Sequence, residues 1–353
     1  MPPQTPIGAE PEEPPVAASD PSAPVPLPTD AAPPPRWRAR ALLGLRVGIS
    51  VAGLIYVLDW EVLDGLDGVV QLLPRWVWGV PLLTTLTNTT LLTVRHRLAL
   101  QATGLQIPYW ALFTLHLRSS FAGLVMPRGG ADLVRLTALT RATGQLEAVL
   151  AAGLLLRLAD LATWLGFLTL FLALRPWPGL EVLEIGVLVF VLAGTVGIGI
   201  ALSLVVLGRR AAPVLGRLPW IGGRVAGLVR ALNLGLGQRR IAIHVLLLGL
   251  PMAALNVISV SLLFQAAGAE LSTLRAFGLV PAMDAAMSLP IALGGIGLRE
   301  VVFGMVGQTL ALTQGQAYTL AWLRWSGELG RGVLGGLSTL AGGQPLVSGG
   351  APR

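Results

Sequence analysis

The chain has no cysteine and no lysine. Without cysteine there are no disulfides, no thiolate metal ligands and no cysteine nucleophile. Histidine is nearly as scarce. His96, His116 and His244 lie far apart, in neither an HxxxH nor an HExxH spacing, so a metal centre has no support and no cofactor is expected. His96, between Arg95 and Arg97, reads as a loop residue at a membrane surface. There is no Walker-type phosphate loop, so ATP is not expected as a direct drive. Charge is sparse as well: 12% of the 353 residues, about half of the roughly 25% usual in soluble domains.

Apolar sequence fills the space that charge leaves. The chain is 54% hydrophobic, with a mean hydropathy of +0.72. Several runs exceed the roughly 18 residues that mark a membrane-spanning helix. They are continuous rather than alternating, which excludes a membrane β-barrel. The fold class expected is an all-α polytopic membrane protein of about eight transmembrane or re-entrant helices. The net charge of +7 comes from arginine alone. In an apolar chain it points to anionic lipid headgroups and topology, not to nucleic acid.

Residues 1–35 are rich in Pro and Ala and carry Glu10, Glu12, Glu13, Asp20 and Asp30. They lack a basic stretch followed by an apolar one, so they read as a disordered tail rather than a signal peptide. An integral membrane domain is expected over 36–342 and a second disordered tail over 343–353. Helices are predicted over about 41–58, 76–94, 109–126, 146–174, 183–207, 241–266 and 273–293, followed by apolar segments at about 300–313 and 316–341. The stretch 208–240 reads as a basic loop. Loop charge puts Arg36–Arg40, Arg95–Arg97 and 208–240 on the cytoplasmic side, with a cytoplasmic N-terminus in a bacterial or archaeal cell membrane. A full crossing by 109–126 would put Arg128, Arg135 and Arg141 outside. A re-entrant pair removes that conflict, since irregular backbone at membrane depth is tolerated where protein or a wet cavity surrounds it.

Two Gly/Pro interruptions resemble each other. One is Pro127-Arg128-Gly129-Gly130-Ala131-Asp132-Leu133-Val134-Arg135; the other runs from Pro290 through Gly294-Gly295-Ile296-Gly297-Leu298-Arg299-Glu300. Paired breaks in corresponding positions point to a substrate site near the bilayer midplane and to an inverted repeat. Glycine lets backbone approach a ligand, consecutive free N–H groups form an anion nest, and an arginine fork fits phosphate. Helix packing by small residues is the competing reading, and Gly332 and Gly336 need no other.

Charges within apolar runs each cost roughly 2.5–3.5 kcal/mol at mid-helix, so they imply partners or a wet cavity. Arg157 and Asp160, spaced i,i+3, can pair on one face. Arg324, Glu328 and Arg331 share one stripe, and Arg324 with Glu328 forms a second candidate pair. Asp284 precedes Pro290 by six positions, and Arg118 sits in the third run. Such pairs serve a site and helix register about equally well. The polar residues Asn88, Thr89, Thr90, Thr93, Asn256, Ser259, Ser261 and Gln265 either line a headgroup path or bond between helices.

Arg97-Leu98-Ala99-Leu100, the Pro127–Arg135 stretch, Arg157 and Leu289-Pro290 through Arg299-Glu300 resemble the lysylphosphatidylglycerol synthase transmembrane-region family over roughly 40–340. Arg128 and the long Pro-rich N-terminus depart from its pattern. The resemblance implies a flippase-like domain. It also implies that the aminoacyl-transferase domain of bifunctional members has no counterpart after residue 342, so lipid aminoacylation is not expected and no catalytic residue is assigned. The function expected is translocation of an anionic or aminoacylated phospholipid, or another lipid-linked headgroup, between leaflets. An intramembrane lipid-modifying transferase and a non-transporting scaffold for a partner enzyme are the alternatives. The headgroup-binding candidates are Gly129, Gly130, Asp132, Arg135, Arg157, Asp160, Asp284, Pro290, Gly294, Gly295, Gly297, Arg299, Glu300, Arg324 and Glu328. The expected partners are membrane phospholipids; self-association and a lipid-synthesis enzyme stay open.

Overall fold

A long apolar segment in lipid must satisfy its backbone hydrogen bonds internally, and a helix does so segment by segment. The computed structural model describes residues 73–125, 130–174, 178–215, 222–287 and 297–340, all within one unit, Gly44–Arg353. The chain is all-helical, with no strand among the described residues. A 3-10 turn at Arg75–Gly79 leads into α1 (Val80–Ala102), α2 (Tyr109–Val125), α3 (Gly130–Thr143) and α4 (Leu146–Ala173). Then come α5 (Glu181–Leu215), α6 (Gly222–Gly237), α7 (Arg239–Leu247) and α8 (Gly249–Ala266). The last are α9 (Thr273–Met287), α10 (Leu298–Thr309) and α11 (Gln314–Leu340). Among the described residues three helical stretches are long and apolar enough to cross a membrane: Leu146–Ala173, Glu181–Gly199 and Arg239–Ala266. At 1.5 Å per residue the 28-residue α4 is about 42 Å long, more than a hydrocarbon core of about 30 Å.

The predicted helix at 41–58 and both predicted tails lie outside the described residues, as do Gly129, Pro290, Gly294 and Gly295. Elsewhere three boundaries move. The second predicted helix does not stop at Arg95: α1 runs on to Ala102 and ends where Gly104 takes φ 88°. His96 is therefore buried in a helix, not placed in a surface loop. No helix breaker stands between Leu92 and Ala102, and Arg95 finds a carboxylate inside the protein. Of the three residues read as cytoplasmic loop charges, Arg97 alone is exposed. The basic stretch 208–240 is largely helical, in the end of α5 and in α6, as arginine's good helix propensity allows. The predicted helix 241–266 is split at Leu248. Pro251 has no N–H to give the carbonyl of Leu247, so the ladder breaks there.

Glycines set the closest helix contacts. A Cβ on Gly335 of α11 would collide with the Leu117 carbonyl of α2, and one on Gly332 with the Leu124 side chain. A Cβ on Gly278 of α9 would lie 2.9 Å from Phe171 Cα on α4. Small residues thus let membrane helices touch backbone to backbone. Arg118 Nη2 adds a 2.9 Å hydrogen bond from α2 to the Ser338 carbonyl of α11. The outer face of α5 carries exposed Val182, Ile185, Val189, Leu192 and Val196, an apolar stripe suited to lipid.

Candidate functional site

The apolar core is in two parts. One gathers Ala99, Leu100, Leu112, Leu139, Ala152 and Leu155; the other gathers Leu168, Phe171, Phe264, Met283 and Phe303. Between them, α1 and α4 expose a polar interval to internal cavities: Asn88 to His96 on α1 and Arg157 to Phe167 on α4. Buried charge in membrane helices is tolerated where it is paired or faces such a cavity.

The first charged cluster centres on Asp132, in the first turn of α3, where a carboxylate also suits the helix dipole. Its two oxygens accept from Arg135 on the same helix and from Arg157 on α4. Arg135 also donates through Nη1 to Nδ1 of His116, at 2.9 Å. His116 Nε2 then lies 3.2 Å from His96 Nδ1. Beside this cluster Arg95 pairs with Asp160 and donates to the Val245 carbonyl at 2.6 Å. A charge on α1 therefore ties together α4 and α7.

The second cluster lies on α8, α9, α10 and α11. Asp284 accepts from Arg324 at 2.6 Å and also from Asn256. Arg299 lies 3.5 Å from Glu328. Glu300 accepts the Gly297 backbone N–H at 2.7 Å, where Gly297 takes φ 85° as the residue before α10. Only glycine adopts that backbone readily.

Three adjoining cavities run between the clusters, and Leu92 borders each of them. The largest, about 580 Å³, is walled by His96, Asp132, Arg135, Arg157 and Asp160. The second, about 280 Å³, is walled by His116, Arg135, Glu328 and Arg331. The third, about 230 Å³, is walled by Asn88, Arg95, Asp160, Asp284 and Arg331. Asn88 Oδ1, Arg95 Nη2 and Arg331 Nε are buried with no hydrogen-bond partner among the described residues, and all three side chains face the 230 Å³ cavity. An unmet buried polar group costs about 1–3 kcal/mol, and more when charged. Two cationic donors and one neutral acceptor thus lack a partner among the described residues, on side chains that line this cavity while the atoms themselves are covered.

Several sequence expectations change here. Arg157 and Asp160 do not pair; each faces another helix and finds its partner there. Arg324 and Glu328 do not pair either, since they bond to α9 and α10 respectively. Glu300, one of the headgroup-binding candidates, caps α10, because a carboxylate three residues into a helix can reach back to the first free N–H. Gly130 opens α3 beside the cluster. Arg299 and Glu300 are buried and border none of these cavities; Glu328, the partner of Arg299, borders the 280 Å³ cavity together with Arg135. Thr89, Thr90 and Thr93 bond to carbonyls of their own helix four residues back. Asn256 bonds between helices, and Gln265 bonds to the Leu271 carbonyl and Ser261. Sequence reasoning singled out Asn88 and Arg331 separately but missed Arg95, His96 and His116 as site residues. The spacing of Arg331 three residues after Glu328 was the one available signal.

Among the described residues no group of His, Asp and Glu is arranged to hold a metal ion. A family model described as Lysylphosphatidylglycerol synthase TM region matches residues 42–324, most of the chain. No curated protein and no solved structure matches it.

Proposed function

This chain belongs to the lysylphosphatidylglycerol synthase TM-region family, and from that premise we propose that it is a lipid translocase. It moves an anionic or aminoacylated phospholipid, or another lipid-linked headgroup, between the leaflets of a cell membrane. The observation that carries this reading is that Asn88, Arg95 and Arg331, each with a hydrogen-bonding atom unpartnered among the described residues, line one cavity together. A phosphodiester offers acceptors to two arginines, and a hydroxyl or amine of the headgroup offers a donor to Asn88. Arg135 and Arg157 receive the anion in the largest cavity, with Asp132 holding both arginines in place and Asp160 holding Arg95. Asp284 fixes Arg324, and Glu328 fixes Arg299. The acyl chains stay in the bilayer while the headgroup crosses the polar interval between the two apolar cores.

Leaflet exchange in proteoliposomes tests this, with fluorescent phosphatidylglycerol and phosphatidylcholine read by dithionite quenching. Exchange of phosphatidylglycerol is expected, and Arg331→Gln should slow it at least about tenfold, the loss of about 1.4 kcal/mol of charge-assisted binding in the crossing state. Arg75→Gln, at an exposed position away from the cavities, should exchange like the parent. Exchange that survives Arg331→Gln and Arg135→Gln together would refute the site. A chemically altered headgroup without exchange would favour a transferase.

A further inference from the structure

The direction of the hydrogen bonds between Arg135, His116 and His96 is fixed by chemistry. A guanidinium has five donors and no acceptor, so at 2.9 Å from Arg135 Nη1 the Nδ1 atom of His116 must present its lone pair. A neutral imidazole with an accepting Nδ1 carries its proton on Nε2. That proton points to His96 Nδ1 at 3.2 Å, which must accept in turn, leaving the His96 proton on Nε2. The rings meet edge to face, with centroids 5.2 Å apart, and both are buried. A second proton on His116 Nδ1 would face the Arg135 N–H; one on His96 Nδ1 would face the His116 N–H. While Arg135 holds His116, the pair has no place on either Nδ1 for another proton.

We propose that the His96–His116 pair is a proton-binding site that opens when an anionic headgroup draws Arg135 away from His116, so that one proton enters with each headgroup. The inference rests on the translocase reading for its ligand. Arg135 borders both the 280 and 580 Å³ cavities, so a phosphate in either competes with His116 for the guanidinium. Once released, His116 Nδ1 takes a proton from water at the mouth formed by Asp132 and Arg157, whose side chains are 44% and 64% exposed. No covalent bond other than N–H is made. The imidazolium formed stands beside the bound phosphate, so headgroup and proton together leave the net charge of the site unchanged.

His116 contacts His96 from α1 and Arg135 from α3 and shares cavities with Asp132 from α3 and with Glu328 and Arg331 from α11; Arg118 lies two positions along its own helix, and Arg95 is held on Asp160. Arg157 and Asp160 from α4 share the 580 Å³ cavity with His96. Arginines outnumber carboxylates in this set, five to three, and an incoming anion reduces that excess.

Short-chain phosphatidylglycerol added to the full chain in weakly buffered detergent, with a pH indicator, reads the coupling without requiring transport. About one proton should be taken up per lipid bound, and affinity should rise up to about tenfold per unit fall in pH, the linkage slope for one proton. His116→Asn keeps an acceptor for Arg135 but cannot be protonated, so proton uptake and the pH response of affinity should both disappear. Binding without proton uptake by the parent chain overturns the proposal, whether or not the variant folds. So does an unchanged pH response in both His116→Asn and His96→Gln, or an absence of lipid binding. Coupled binding with no leaflet exchange in liposomes would sink the translocase reading while leaving the proton site standing.

Discussion

Replacing Asp284 with alanine leaves Arg324 and Asn256 facing an empty place. Both partners of this pair are largely buried, with side chains 11% and 17% exposed for Asp284 and Arg324. Two unit charges roughly 4 Å apart attract by about 4 kcal/mol at an effective dielectric near 20. The hydrogen bond from Asn256 to a charged acceptor adds about 1.5–3 kcal/mol. Water entering through the 230 Å³ cavity, which Asp284 borders, returns part of this, so a net loss of about 3–5 kcal/mol is expected. Removing both charges in Asp284→Leu/Arg324→Met should recover the ion-pair part of the loss, since an apolar pair carries no desolvation cost, while the unpaired Asn256 amide keeps the double variant about 1–3 kcal/mol below the parent. Equilibrium unfolding in detergent micelles, arranged as a double-mutant cycle, measures both quantities. A single variant that loses less than about 1 kcal/mol, or a double variant as unstable as the sum of its parts, would show that the pair is not the coupled buried contact described above.

The other ion pair of that cluster should matter much less. Glu328 is 44% exposed and 3.5 Å from Arg299, so Glu328→Gln should cost no more than about 1 kcal/mol in the same unfolding assay. Gly335→Ala should cost at least about 1–3 kcal/mol, because its Cβ meets a backbone carbonyl that cannot rotate away. Gly336→Ala, one residue on, meets the Phe121 ring at 3.2 Å, and a side chain can adjust; equal losses at the two positions would refute the packing argument. Gly166 of α4 has open space around its Cβ position, so Gly166→Ala should raise stability by about 0.5–1 kcal/mol through helix propensity.

Much of this molecule was written in its apolar runs. Their length and continuity imposed an all-α membrane protein, and α4, α9 and α11 begin and end within a few residues of the predicted limits apart from the undescribed end at 288–293. Helix limits are local properties, set by where charge, proline and glycine interrupt a run. The candidate charges were legible for a similar reason, since an ionisable residue is conspicuous against apolar neighbours. Their partners were not. The i,i+3 and i,i+4 spacings suggested Arg157 with Asp160 and Arg324 with Glu328, yet each of these residues pairs across helices. Local spacing says which side chains can meet on one helix, but the fold decides whether that face points at another helix with a better partner. The histidines make the point most sharply. Twenty positions apart and in no motif, His96 and His116 looked unrelated, and packing of α1 against α2 brings their rings into contact. Sequence determined that this chain fills a membrane with helices and holds a few costly charges. Only the tertiary structure decided which charges neutralise one another, and that Asn88, Arg95 and Arg331 line one cavity while each keeps an atom unpartnered among the described residues.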